Sequence, residues 1–202
     1  MEGGLSPASS SRDDVGDRAL PEPDRFRAVM GRFATGVSVV TARWGDAEGG
    51  MAVNALLSVS LDPASVLVSL GAAADTTPLV ERSGRFGVSL LAAEQMELSE
   101  RFDSRIPSSE KFRGVACHRS PSGIPLLDNT LGTMECEVVE AHPFATHLVF
   151  LGRVTHLEEG SDDDPLVFWG SHYATRTGPR TLRLPDPRPI PLRETPRRER
   201  GT

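Results

Sequence analysis

The stretch Gly50 to Pro63, GMAVNALLSVSLDP, with the apolar run Val66 to Leu70 close behind it, restricts the chain to few folds. Glycine and small residues leave its first half of backbone little shielded. The alternation that follows predicts a strand, and Asp62-Pro63 ends it. The next segment, SVLVSL, is almost wholly apolar, which predicts a strand in the middle of a sheet. An open backbone of this kind can lie flat against a planar ligand. Asn54, Ser58 and Ser60 add short polar groups suited to the edge of a heteroaromatic ring. A hairpin strand with its polar face in water explains the same pattern, and for this segment alone it is the simpler reading.

The flanking sequence predicts more strands than helices. Asp24 is placed to cap a short helix, RFRAVMGRFA, whose Phe26, Val29, Met30 and Phe33 form one apolar face expected to dock on the sheet. Thr35-Gly36-Val37 breaks that helix, VSVVTARW reads as a strand, and residues 45–50 read as a hairpin loop. Thr76 or Thr77 before Pro78 predicts a helix start that ends near Gly84. Free N–H groups at such a start suit a phosphate, although ordinary capping explains the same residues. FGVSL at 86–90 reads as a strand and residues 92–102 as a helix with Leu91, Leu98 and Phe102 on one side. The long segment 103–125 is turn-rich and is expected to add little to the core. Its Lys111-Phe112 pair is a candidate to close over a ligand. TMECEVVEAHPF and HLVFLGRVTHLEE alternate as antiparallel partners, and PLVFWGSHYATR reads as one further strand. Many short strands with few helices predict a mainly β barrel with peripheral helices.

The length of 202 residues and 38% hydrophobic content predict one globular unit. It spans residues 24–177, between a disordered tail at 1–23 and a Pro/Arg-rich tail at 178–202. That second tail carries +4, which leaves about -10 on the remainder of a chain whose formal net charge is -6. An acidic body argues against nucleic-acid binding. The absence of a long apolar run or a leader-like N-terminus predicts no membrane span and a cytoplasmic location. Cys117 and Cys136 have no metal or redox spacing, and the histidines at 118, 142, 147, 156 and 172 are scattered. Phosphate-loop, dinucleotide-fingerprint and nucleophile-elbow motifs are missing, so hydrolytic and metal chemistry are poor candidates. Hydride transfer between two rings stays open, because it asks a protein mainly for stacking, orientation and exclusion of water.

Eight segments resemble, in order and spacing, the flavin reductase family with the FMN-binding split-barrel fold: FRAVMGRFATGVSVVTA, GMAVNALLSVSLDPASVLVSL, GRFGVSLL, LSERF, EKFRGV, GIPLLDNTLGTMECEV, HLVFLGRV and PLVFWGSHY. The nearest likeness is to the reductase component of two-component flavin-dependent monooxygenases. The resemblance implies a Greek-key split β-barrel and a homodimer, with FMN or FAD bound near the subunit interface. It implies hydride donation from NAD(P)H and delivery of reduced flavin to a separate oxygenase. By position it puts Thr35, Gly36 and Val37 near the flavin, with Ala52, Val53, Asn54 and Ala55 along the ring. Ser58 and Ser60 match family serines. Ser69 and Thr76 fall where the ribityl and phosphate groups are handled, Lys111 and Phe112 match a basic-aromatic pair, and Tyr173 matches an aromatic near the end of the fold. His147 matches a histidine on the nicotinamide side and is the catalytic candidate. The chain departs from the family pattern at Ala55, at Ala72 to Ala74 and at Ala145-Thr146. These departures suit weak flavin binding and release. Those at Ala55 and Ala145-Thr146 also suit a flavoenzyme that retains its flavin and acts on its own organic substrate, and the Pro/Arg-rich tail leaves a third reading, a non-catalytic split-barrel binding module with that tail as its contact surface.

Overall fold

The computed structural model describes residues 20–174. Both expected disordered tails fall wholly or mostly outside these residues. Pro23 opens helix α1, Pro23–Met30, where its missing N–H costs nothing, and Glu22 rather than Asp24 stands at the N-cap. Gly31 closes the helix, so Phe33 lies beyond it. The expected docking of α1 does not occur within this chain. The helix buries no residue, and Phe26, Val29, Met30 and Phe33 are 47–66% exposed. Its amphipathic spacing therefore presents an apolar stripe that nothing in the described residues covers.

A short strand, β1 (Thr35–Gly36), leads to β2 (Ser38–Trp44) and β3 (Ala47–Val53), which pair across a two-residue turn at Gly45-Asp46. The turn is thus shorter than the expected hairpin loop. Strands β4 (Leu56–Leu61) and β5 (Ala64–Gly71) pair across Asp62-Pro63. Helix α2 (Thr76–Ser83) ends at Gly84 in the left-handed conformation, φ 65°, as the sequence predicts, and β6 (Arg85–Leu90) follows. A single 3-10 turn at Ala93–Gln95 enters helix α3 (Met96–Asp103), and the short α4 (Ser108–Lys111) precedes strands β7 (Cys117–Arg119) and β8 (Pro125–Leu127). The long hairpin of β9 (Gly132–Phe144) and β10 (His147–Glu159) pairs in the expected antiparallel sense. The last expected strand is instead a tight hairpin, β11 (Val167–Trp169) and β12 (His172–Ala174), turning at Gly170-Ser171.

Seven strands form one antiparallel sheet in the order β3-β2-β6-β9-β10-β5-β4. Its two edge strands are consecutive in sequence, joined only by Asn54 and Ala55. Three Cα steps reach roughly 11 Å at full extension, so the sheet must curl until its opposite edges nearly meet. The edges β3 and β4 remain unpaired with each other, which is the split of a split barrel. Two cores result. Inside the curl lie Val40, Ala42, Val53, Val66, Val68, Leu70, Phe86, Val88, Cys136 and Phe150, with Val80 of α2. On the other side of β2, the residues Val37, Val39, Leu91, Phe102, Leu127 and Leu166 pack together.

The segment 103–125 contributes more to the interior than its composition suggests. Ile124 at its end, with Leu126 and Leu127 just beyond, is almost fully buried, because the β7–β8 hairpin folds back over β2 and β6. A buried carboxylate fixes the segment in place. Glu135 of β9 accepts hydrogen bonds from Arg85 Nη1 (2.9 Å), Ser122 Oγ (2.7 Å) and the Ser122 backbone N–H (3.0 Å). Burial raises the Glu135 pKa, but the Ser120, Ser122 and Arg85 donors outweigh it and hold the group below the ordinary carboxylate value. A carboxylate with a depressed folded-state pKa contributes stability above the unfolded value, and that stability is lost as pH falls through the folded pKa. The stability difference between wild type and Glu135→Gln should therefore be largest near neutrality and shrink below pH 4.5, the ordinary value. Denaturant midpoints from neutral to acidic pH measure this, and a difference independent of pH would contradict it.

Candidate functional site

The turn from β3 into β4 forms the ridge between two openings. The larger is a cleft of about 500 Å³ lined by Phe33 to Ser38, Asn54 to Leu57, Leu67, Leu90 and Leu91, and by Leu166. The smaller, about 150 Å³, is lined by Val37, Ala52, Val53, Asn54, Ser99, Asp103, Phe168 and Tyr173. Val37 and Asn54 belong to both. Three backbone hydrogen bonds build this seam: Val37 N–H donates to Leu166 O, Leu166 N–H to Leu91 O, and Leu91 N–H to Val37 O, all 3.0–3.1 Å. The walls are therefore rigid, mostly apolar, and broken by a few short polar groups, as ligand clefts tend to be.

Of the residues singled out from sequence, the fold brings together Thr35, Gly36, Val37, Ala52, Val53, Asn54, Ala55 and Tyr173. Tyr173 is held in place: its hydroxyl lies 2.9 Å from Ser99 Oγ, and its ring meets Phe168 edge-on at 5.6 Å. Ser69 lies at the rim, where its N–H donates to Ala55 O (3.2 Å). Ser69 pairs with Val149, and His147 stands two residues before Val149, so Ser69 and His147 share the outer sheet face that begins at Leu57 and Leu67. His147 is exposed outside both openings, with Nδ1 3.0 Å from Thr146 Oγ1. Ser58 is exposed further along β4, and Ser60 bonds within its own turn to Asp62.

Thr76, Lys111 and Phe112 fall elsewhere. The glycines preceding the ridge are packed by helices rather than left open for a ligand. A Cβ on Gly49 would lie 2.8 Å from Leu79 and 3.1 Å from Thr76 Oγ1, and one on Gly50 would lie 2.6 Å from Phe102. Thr76 is thus turned under β3. Phe112 packs edge-on against Phe102 at 5.2 Å, and Lys111 is 8% exposed, with Nζ donating to Phe102 O (2.7 Å) and Gly50 O (3.3 Å). Burial lowers the Lys111 pKa, against the opposing attraction of Asp75 and Asp103. Lys111 and Phe112 therefore brace β3 at Gly50, on the face it shares with Ala52 and beside the α3 wall of the smaller opening, without lining either opening.

Reading the sequence missed Ser99, Asp103 and Phe168. Ser99 and Asp103 are four apart on α3, one turn of polar residues on an otherwise amphipathic helix, and that spacing was the available signal. The thiols take no part. Burial pushes Cys136 up to about 12 and raises Cys117, so neither is a ready thiolate. No cluster of metal-ligating side chains occurs among the described residues.

The family model described as flavin reductase like domain matches residues 30–177. The chain belongs to this family. It is 35% identical over 164 residues to the reductase subunit HsaB of a flavin-dependent monooxygenase from Rhodococcus jostii, covering 81% of this chain and 83% of that one. It is 39% identical to the NADH-dependent FMN reductase AsuE2 of Streptomyces nodosus subsp. asukaensis, over 78% of this chain and 88% of the relative. Among solved structures it is similar to the NADH:FAD oxidoreductase SgcE6 of Streptomyces globisporus C-1027 in complex with NAD and FAD fragments. That match has a TM-score of 0.73 and 28% identity, over 82% of this chain and all of the other.

The larger cleft fits a flavin on its own chemistry. Thr35 Oγ1 is buried in its wall with no hydrogen-bond partner, an uncommon state for a hydroxyl; it is shut off from the cleft, so a small shift of the wall is what would let a ligand satisfy it. Thr35→Val keeps the shape and removes the orphan group. The unliganded protein should gain about 0.5–1 kcal/mol in unfolding free energy while FMN affinity falls several-fold. Denaturation and flavin-fluorescence titration measure the two effects, and a loss of stability with unchanged affinity would contradict the assignment.

Proposed function

We propose that this protein is an NADH:flavin oxidoreductase that reduces FMN or FAD at the β3–β4 ridge and releases it to a separate oxygenase. The observation that carries the reading is the cleft formed by residues 33–38 and 54–57, with its orphan Thr35 hydroxyl, in a chain of the flavin reductase family. The flavin, when bound, supplies the ring that accepts hydride from the nicotinamide; the protein's part is to position and shield it. Thr35 and the backbone of Gly36 and Asn54 to Ala55 would hold the ring edge. Apolar side chains including Leu90, Leu91 and Leu166 would exclude water from its face. Tyr173, fixed by Ser99, and the carboxylate of Asp103 border the adjoining opening, where a second ring would be oriented. His147 stays the catalytic candidate by the family resemblance, and its exposed position outside both openings means it would reach a bound ring only from the outer sheet face it shares with Ser69. Relatives named as NADH-dependent reductases and as monooxygenase reductase subunits support the donor and the oxygenase partner. An apolar cleft with few fixed polar groups favours exchange over retention of the flavin.

The same reading includes a homodimer. The larger cleft takes in Leu57 of β4, which with Val59 and Leu61 is 48–88% exposed; Phe144 is 78% exposed at the tip of the β9–β10 hairpin, and the apolar stripe of α1 is also bare. A patch of this kind is uncommon on a monomer and suits a second copy that would roof the cleft. The free thiols and the lack of a membrane-crossing helix among the described residues are compatible with a cytoplasmic setting.

Anaerobic mixing of the protein and FMN or FAD with NADH should bleach the flavin absorbance rapidly, and the reduced flavin should cross a dialysis membrane to an acceptor. Absence of bleaching with both flavins would refute the activity. In a separate measurement, Val59→Glu with Phe144→Glu should convert a two-chain species to one chain by sedimentation and slow flavin reduction. An unchanged mass would remove this surface from the interface.

A further inference from the structure

A third opening, about 190 Å³, lies between α1 and the β11–β12 hairpin and is lined by Arg27, Ala28, Gly31, Arg32, Trp169, Gly170 and Ser171. Its composition differs from that of the two openings at the ridge. It offers two guanidinium groups, a half-exposed indole at 55%, and a serine hydroxyl. Arg27 is paired with the exposed Asp24, whereas the Arg32 side chain has no ion pair or hydrogen bond among the described residues. The indole of Trp169 likewise has no ring partner there.

The pocket's geometry is fixed from both sides. Gly170 N–H donates to Gly31 O at 2.7 Å, which ties the hairpin turn to the end of α1. Gly170 and Ser171 both have positive φ, 60° and 65°, the conformation of a tight two-residue hairpin turn. The pocket neighbours the proposed site along the chain. Arg32 lines it while Phe33 lines the flavin cleft, and Trp169 lines it while Phe168 lines the smaller opening, with Thr35 and Phe168 paired in the ladder between them.

A pocket lined by an arginine without a partner and a half-exposed tryptophan suits a flat heteroaromatic ring carrying negative charge. The ring stacks on the indole, and phosphate oxygens take the fork of N–H donors. We propose that this pocket binds the adenine-diphosphate end of a dinucleotide whose reactive ring occupies the cleft. The proposal rests on the flavin reductase reading above. The volume suits a base and adjoining phosphate rather than a whole dinucleotide, so the remainder of such a molecule runs along the β1–β11 ladder into the cleft. Both FAD and NADH end in this group, and FMN does not. The pocket therefore separates ligands by what lies beyond the first phosphate.

The test uses the full chain, with ADP as the probe and FMN as the ligand that lacks the group. Trp169→Ala and Arg32→Glu should each weaken ADP binding, measured by calorimetry, by about tenfold or more. FMN affinity should stay within about twofold, which also reports an intact fold. If FAD affinity falls in parallel with ADP while the KM for NADH with FMN as acceptor is unchanged, the adenylate is that of the flavin. If the KM for NADH rises instead and FAD affinity holds, it is that of the nicotinamide. Failure of ADP to bind the wild type, or ADP binding untouched by both substitutions, overturns the proposal. Wild-type protein that binds ADP through these residues but neither binds nor reduces FMN would leave the pocket standing and overturn the flavin reductase reading alone.

Discussion

The two residues between β3 and β4 are the constraint on which the fold depends. Joining opposite edges of a seven-stranded sheet through Asn54 and Ala55 leaves no freedom in how far the sheet curls. The same constraint makes the site. At such a corner the backbone cannot pair with either edge along its whole length, and the side chains are short. Asn54 and Ala55 are left exposed between two openings.

The sheet is stiffened on both faces of β3. Gly49 and Gly50 allow α2 and α3 to press against β3 more closely than any side chain would permit, and Lys111 ties Gly50 O to Phe102 O across that contact. A lysine this deeply buried is costly unless its donors are satisfied, and here two carbonyls accept them. The arrangement places the small residues of residues 49–55 in two roles along one strand: close packing at its start and an open ridge at its end. The two cores meet across β2, and Val37, between β1 and β2, is the point where the small sheet β1-β11-β12 joins the seven-stranded one.

Much of this was legible in the sequence. Alternation in residues 133–159 announced the long β9–β10 hairpin, and Gly84 announced the end of α2, because period and positive φ are local properties. The cluster of Thr35 to Val37 with Ala52 to Ala55 was legible through the ordered likeness to a family rather than through any local signal. What could not be read was set by tertiary contact. Whether Gly49 and Gly50 face a ring or a helix depends on α2 and α3, which lie about thirty and fifty residues away in the chain. Lys111 in a polar loop looks like a surface cation until the loop folds back and buries it. The stripe on α1 promised a buried helix, since spacing reports that a face is apolar and not whether its own chain covers it.

That bare stripe and the ridge belong to one energetic argument. A monomer leaves both the α1 face and the outer face near Leu57 in water, and the cleft adjoins the same surface. In the proposed dimer, a second copy covering those faces would remove apolar area from water and at the same time dry the cleft wall, so association and ring binding would reinforce each other. The polar contribution at the ridge is small, resting on Thr35, Asn54 and backbone groups, and contributes orientation more than affinity. A site built this way holds a flat ring by exclusion of water while it is covered, and has little to retain it once the ring's charge changes. Exchange of oxidised for reduced ligand is then a property of the wall itself, with no moving lid required among the described residues.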